Sequence, residues 1–198
     1  MELQFTNEND FTDLKYEIAV GNQNAFRQLF DLYSKPLAQF AFSIVQTKDA
    51  ALDVVDEVFI RMWKNKENII AIENIRVYLY TAVKNAALNY LSHISRQQIN
   101  EPFDYLNIQL VEEHRPDQQM ITEELFKKIH AAVEELPPRC KMIFKLVRED
   151  GLKYKEVAEI LNLSVNTVDA QMVIAVKRIV EKVKTHFDFL PRRFPNKI

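Results

Sequence analysis

Between Gly151 and Arg178 the chain reads GLKYKEVAEILNLSVNTVDAQMVIAVKR, which sets amide, hydroxyl and cationic side chains at intervals suited to reading a nucleic acid. Val157, Ala158 and Leu161 are spaced for the buried face of a short helix from about Lys153 to Leu161. Asn162 and Leu163 then fall at a tight turn, and Ser164 stands where it caps a following helix. That helix would bury Val168, Met172 and Ala175 and leave Val165, Asn166, Thr167, Asp169 and Gln171 near its exposed N-terminal end. In a helix-turn-helix this end enters the major groove, where Asn and Gln pair with base edges and the helix N-terminus meets phosphate. A plain helical hairpin shares the apolar spacing. Ala158 at the close crossing, the turn length, Leu163 and the Ser164 cap favour the DNA-binding form.

A second set of groups, Asp49, Asp53, Asp56 and Glu57, forms an acidic stripe on a helix whose apolar side reads Leu52, Val55, Phe59 and Met62. A charged face is ordinarily just solvated, and Glu57 to Arg61 adds one favourable i,i+4 pair, so the stripe alone does not specify a partner. Reactive chemistry is poorly provided for. His93, His114, His130 and His186 are scattered, with no metal-type neighbour at i+3 or i+4, and no Ser or Cys sits in a nucleophile motif. The single cysteine, Cys140, cannot form an intramolecular disulfide. With two glycines in 198 residues, Gly21 and Gly151, the phosphate-cradling glycine loops are missing as well. The expectation is a chain with no enzymatic activity, no catalytic residue, no metal, no cofactor and no small-molecule substrate.

The elements that hold these groups read as helices throughout. Apolar residues at Phe26, Leu29, Phe30, Tyr33, Leu37, Phe40, Ala41 and Ile44 recur at three- and four-residue spacing, with Pro36 expected to break or kink the helix. Gly21 and Asn22 can end a preceding helix at about Phe11 to Val20. Two further patterns follow, Leu52 to Trp63 and Val77, Tyr80, Val83, Ala87, Leu91, which gives four helices for one bundle. Residues 93–117 lose the periodicity, carry Pro102 and Pro116, and read as a linker. Periodicity returns at Leu125, Ile129, Val133 and Leu136, and Pro138 suits the first turn of a helix running to about Val147. The fold class is therefore all-α, with two small helical domains (1–92 and 118–198) joined by a flexible linker, the second containing the helix-turn-helix.

A net charge of −2 conceals an uneven distribution. Residues 1–92 hold 9 Lys/Arg against 12 Asp/Glu, whereas residues 118–198 hold 15 against 11. Different partners for the two halves follow from this asymmetry. No apolar run approaches a membrane span and the start, MELQFTNEND, lacks a basic end followed by an apolar block. A cytoplasmic setting is expected.

The order of these segments resembles the extracytoplasmic-function (ECF) group of the sigma-70 family, bacterial initiation factors that direct RNA polymerase to promoters. The resemblance covers nearly the whole chain: AFRQLFDLYSKPLAQFA, then DAALDVVDEVFIRMWKNKENI, similar to the family helix that binds the polymerase clamp, then VYLYTAVKNAALNYL, similar to the helix that engages the upstream promoter element. After the linker, LPPRCKMIFKLVREDGLKYKEVAEILNLSVNTV is similar to the domain that reads the more distant element. The resemblance implies core RNA polymerase and promoter DNA as partners, transcription initiation as the function, and an inhibitory anti-sigma factor, membrane-linked in one form.

Carried over by position, Asp53, Asp56, Glu57, Phe59, Ile60 and Trp63 match the polymerase-binding helix, although Phe59 and Trp63 also sit at core spacing. The segment Glu67 to Arg76 matches the loop that captures an unstacked base, with Asn68 and Asn74 able to pair with a base edge or to serve as turn residues. Tyr78, Thr81, Lys84 and Asn85 match the helix that tracks the strand, and Arg76, Tyr78 and Lys84 supply the guanidinium, aromatic and ammonium groups that suit single-stranded DNA. In the helix-turn-helix, Ser164, Val165, Asn166, Thr167, Asp169 and Gln171 take the recognition positions, and Lys177, Arg178, Lys182 and Lys184 are placed for phosphate. Asp56 stands where many members carry Gln, and Asp169, Ile174 and Val176 where relatives often carry basic or polar groups, which implies modest DNA affinity in this domain. Asp169 either faces the positive helix end or accepts from cytosine N4. The rival reading is a helix-turn-helix regulator with a helical sensing domain and no polymerase binding; a sensing domain has no reason to contain the DVVDEVFIRMW and VYLYTAVKNAALNYL pair.

Overall fold

The computed structural model describes residues 8–95 and 120–187. Chain order gives α1 Glu8–Ala19, α2 Gln23–Val45, α3 Lys48–Lys64, a 3-10 turn Lys66–Ala71, α4 Ile75–Ser95, α5 Met120–Glu134, α6 Pro138–Arg148, α7 Tyr154–Leu161 and α8 Val165–Phe187. No strand occurs among the described residues. Most of the linker expected at 93–117 lies outside them, and α4 carries on through Ser95, three residues into that segment.

Local chemistry fixes the first joint. Gly21, at φ 92, donates to the Ile18 carbonyl at 2.9 Å and Asn22 to the Glu17 carbonyl at 2.9 Å. This paired closure of a helix end requires a left-handed residue, which glycine supplies without steric cost. The Asn22 side chain then accepts from the amides of Asn24 and Ala25 at 2.9 and 3.3 Å, so one residue closes α1 and opens α2. Pro36, expected to break or kink α2, lies inside it without breaking it. The carbonyl it leaves without an intrahelical donor belongs to Leu32, an exposed residue whose carbonyl water can satisfy.

α2 is the hub of the first half and packs on both α3 and α4. Leu29, Leu37, Phe40, Ala41 and Ile44 are buried as their spacing requires, and Phe40 meets Tyr80 of α4 at a centroid distance of 5.2 Å. Losing a ring such as Phe40 would cost about 3–5 kcal/mol. The apolar side of α3 is Ala50, Ala51, Val54, Val55, Val58, Phe59 and Met62. Leu52, expected on that side, is 53% exposed, because the stripe is centred about two positions away, toward Val54 and Val58. Part of the segment expected as a loop, Lys66–Ala71, is a 3-10 turn that packs under α1, with Lys15 Nζ donating to the Ile72 carbonyl at 2.8 Å.

The second half is built on α8, which packs against α5, α6 and α7. The α7–α8 joint repeats the closure seen after α1: Asn162 adopts φ 55, Leu163 donates to the Ala158 carbonyl at 2.8 Å and Asn162 to the Glu159 carbonyl at 3.2 Å. Leu163 folds back on the core that holds Ala158. The two halves are in contact. α4 lies along α7, and one continuous apolar cluster runs from Leu37, Val77 and Val83 to Met142, Leu146 and Val157.

Candidate nucleic-acid interface and docking surface

Ser164 caps α8 as its position predicts: its Oγ accepts from the Thr167 amide at 3.0 Å and contacts the Thr167 hydroxyl at 2.8 Å. Val168, Met172 and Ala175 are buried, which turns Val165, Asn166 and Asp169 outward and leaves Thr167 and Gln171 half-buried. Asn166, Asp169 and Gln171 therefore ride the first two turns of a helix held from behind, a geometry able to present amides to base edges and the helix end to phosphate. Farther along α8, Lys177, Arg178 and Lys184 are exposed, while Lys182 is ion-paired to Glu135 beyond the end of α5. Ile174 and Val176 are exposed too, at 40% and 41%, so the missing cations noted in the sequence leave apolar surface on this helix.

α3 carries the acidic face. Asp53, Asp56 and Glu57 are exposed, Glu57 bonds Arg61 one turn on, and Ile60 is 55% exposed beside them. Phe59, expected as either contact or core, is 3% exposed: its ring meets Phe30 edge-on at 4.9 Å and Phe26 at 5.9 Å. Trp63 is half-buried against Phe26 at 4.8 Å, and the Lys66 ammonium lies 5.5 Å from its ring. Phe26, Phe30, Asp56, Phe59, Ile60, Trp63 and Lys64 line an open groove of about 310 Å³ between α2 and α3. Phe59 thus forms the floor of this groove, and Ile60 and Trp63 form its more exposed edge. Phe26 and Phe30, read from the sequence only as core, are half-buried walls of this groove.

The residues expected to hold a single strand are divided by the fold. Asn68, Tyr78 and Asn85 are exposed and Thr81 is half-buried, all on α4 or the turn before it. Asn74 caps α4 by accepting from the Val77 amide at 3.1 Å, which is the turn role, and its Nδ2 donates to Glu156 Oε1 at 2.9 Å. Arg76 donates to the carbonyls of Asp150 and Gly151, and Lys84 Nζ to the Ile160 carbonyl at 2.6 Å. Burial pulls the Lys84 ammonium below the usual lysine range. All four acceptors, on Asp150, Gly151, Glu156 and Ile160, belong to the second half.

Around this junction lies a polar cluster that sequence reading missed. The buried Tyr80 hydroxyl donates to the Asp150 carboxylate, and burial drives its pKa well above the usual tyrosine value. Lys145, 1% exposed, bonds Glu149 Oε2 at 3.0 Å and lies 3.8 Å from Asp150 Oδ1. Burial pushes the Asp150 carboxyl up to about 6 against the opposing pull of Lys145, with the Glu149 charge adding to the rise. Its Oδ2 has no hydrogen-bond partner. Lys145 to Glu149 is an i,i+4 spacing visible in the sequence; the approach of Tyr80 and Arg76 is not. Among the described residues no group of His, Cys, Asp and Glu could hold a metal, and no helix is long and apolar enough to cross a membrane.

Comparison with known proteins agrees with both halves. Residues 29–97 match sigma-70 region 2 and residues 126–179 match sigma-70 region 4, together more than half of the chain. The chain is 29% identical over 171 residues to the ECF RNA polymerase sigma-E factor of Escherichia coli K12, covering 83% of this chain and 89% of that protein. It is 28% identical to the protein of the same name from Haemophilus influenzae, covering 83% and 90%. In fold it is similar to CnrH, solved in complex with the cytosolic domain of CnrY, at a TM-score of 0.56 and 20% identity over 88% of this chain and 97% of that one. It is also similar to the sigma factor RpoE of Bartonella quintana, solved with the anti-sigma factor NepR, at 0.56 and 21% over 80% and 96%. With a region 2 helical bundle followed by a region 4 helix-turn-helix, in that order along one chain, the protein belongs to the sigma-70 family and within it to the extracytoplasmic-function group.

Proposed function

We propose that this chain binds core RNA polymerase through the α3 face and directs it to promoters, α4 and its leading turn engaging the melted upstream element and α8 the distant element as duplex. The observation that carries the reading is the pairing of two surfaces on one chain: an acidic, apolar-edged face at Asp53, Asp56, Ile60 and Trp63, and a capped recognition helix presenting Asn166, Asp169 and Gln171. Carboxylates around an apolar groove suit a basic helical partner, since charge steers the encounter and the desolvated edge holds it. The role in this reading is cytoplasmic and non-catalytic, RNA synthesis belonging to the polymerase, with no cofactor. The two solved relatives were captured with CnrY and with an anti-sigma factor, which supports an inhibitory protein partner here as well.

Run-off transcription with purified core polymerase, this protein and promoter fragments from its own genome tests the proposal. Promoter-dependent RNA is expected; its absence with folded protein and active core would overturn the reading. In the same assay Asp53→Lys with Glu57→Lys should weaken core binding while leaving duplex binding by α8 intact. Equal loss of both would point to misfolding and exclude a specific docking role for α3.

A further inference from the structure

A buried carboxyl lies where the two halves meet. Asp150 follows α6 in a tightly closed elbow: its amide donates to the Lys145 carbonyl at 3.1 Å, the Leu152 amide donates to the Leu146 carbonyl at 2.9 Å, and Gly151 takes φ 64. The carboxyl therefore cannot swing out to water while the elbow keeps its shape. Its side chain is 4% exposed, and Oδ2 is buried without a hydrogen-bond partner. From α6 it is faced by Lys145, 3.8 Å from Oδ1, and by Glu149, which already holds the Lys145 ammonium at 3.0 Å. From α4, in the other half, it is faced by the Tyr80 hydroxyl and by Arg76, whose guanidinium donates to the Asp150 and Gly151 carbonyls. One layer out, Tyr33 of α2 is coupled to Tyr80 and Arg76, and Glu156 of α7 to Tyr33. Ionised, Asp150 places a charge with one unsatisfied oxygen in a dry site; protonated, it places none there, so burial penalises the ionised form alone. Part of the wall that keeps water out is α4, so that penalty lasts only while the halves are docked.

We propose that Asp150 is a proton-linked switch for the docking of the two halves: its protonated carboxyl fits the junction, and its ionised carboxylate weakens the junction and favours separation. This linkage is independent of the polymerase and promoter assignments. In the docked form burial outweighs the pull of Lys145 and holds the carboxyl at about 6, whereas a hydrated aspartate titrates near ~3.9. The docked form thus carries the extra proton between about pH 4 and 6, and releases it on opening. Docking is strongest at the acid end of that window and weakens as pH rises through it. With one proton released, the ratio of separated to docked chain should grow by at most about tenfold per pH unit and roughly a hundredfold in all.

The test uses the full chain with donor and acceptor dyes at Val20 of α1 and Val173 of α8, 81% and 61% exposed, introduced as cysteines in a Cys140→Ala background. Single-molecule energy transfer reads the docked fraction from about pH 4 to 8, in enough urea to populate both forms while circular dichroism shows the helices intact. The separated fraction should rise with pH up to about 6 and level off above it. Asp150→Asn should leave the ratio constant across the range. Glu149→Gln removes a charge that raises the carboxyl and should move the midpoint to lower pH; Tyr80→Phe removes a hydroxyl that lowers it and should move the midpoint to higher pH. If Asp150→Asn loses helicity, these two opposite shifts decide. A docked fraction independent of pH in the unaltered sequence, a dependence that survives Asp150→Asn, or midpoint shifts of the same sign in the other two variants would each overturn the switch.

Discussion

Asp150 shows how far one carboxyl departs from its sequence neighbours. Two residues from Leu152 in an elbow, it would pass for a solvated turn residue, yet its side chain is 4% exposed and its pKa stands at about 6 instead of 3.8. Lys145, Arg76 and the Tyr80 hydroxyl favour the ionised form, Glu149 opposes it, and burial outweighs them all. A carboxyl raised in the folded state takes up its proton earlier there than in the unfolded chain. Between about pH 4 and 6 the native state binds more protons, so this residue makes stability fall as pH rises through that window. Asp150→Asn removes the slope. The melting temperature of the variant relative to the unaltered protein should therefore increase between pH 4 and 7; a constant difference across that range would contradict the raised pKa.

At the scale of elements, the joints are set by a few polar atoms. Asn22 and Ser164 each satisfy amides that a helix start leaves open, and Gly21 and Asn162 each supply the left-handed residue that closes the helix before. Ser164→Ala should lower stability by about 1 kcal/mol in chemical denaturation. Because the cap holds the start of α8, it should also weaken duplex binding while the α3 face keeps its affinity for polymerase. The Ser164 cap and the helix end at Gly21 and Asn22 were legible because their geometry is local, whereas the second role of Asn22, accepting from the amides that open α2, came from the structure. The centring of α3 was less so, since Leu52 and Val54 are both apolar and only the approach of α2 and α4 decides which is covered.

At the scale of the molecule, charge divides the labour. The acidic first half and the basic second half nearly cancel, so a net charge of −2 says little about either. Individual cations are not equivalent, however. Lys177 is exposed on α8, whereas Lys182 is paired with Glu135. Lys177→Ala should reduce the slope of log affinity against log salt for duplex DNA by roughly 0.9, the value for one phosphate contact. Lys182→Ala should change it by less, because its charge is already partly balanced; equal effects would mean that the Glu135 pair opens on binding.

The sequence by itself determined the helices, their caps, the buried faces of α2, α4 and α7, and the helix-turn-helix at Asn162 to Ser164, since all of these follow from contacts within a turn or two of the chain. It also placed the acidic stripe on one helix, α3, and Val165 to Gln171 at the start of another, α8. Only the tertiary structure decided that Phe59 lies under the α3 groove with Phe26 and Phe30, that Lys182 is paired, and that Asn74, Arg76 and Lys84 are held by the second half. The contacts of Asn74, Arg76 and Lys84 join residues 74 or more positions apart across the junction, and periodicity records which face of a helix is apolar without recording what comes to cover it.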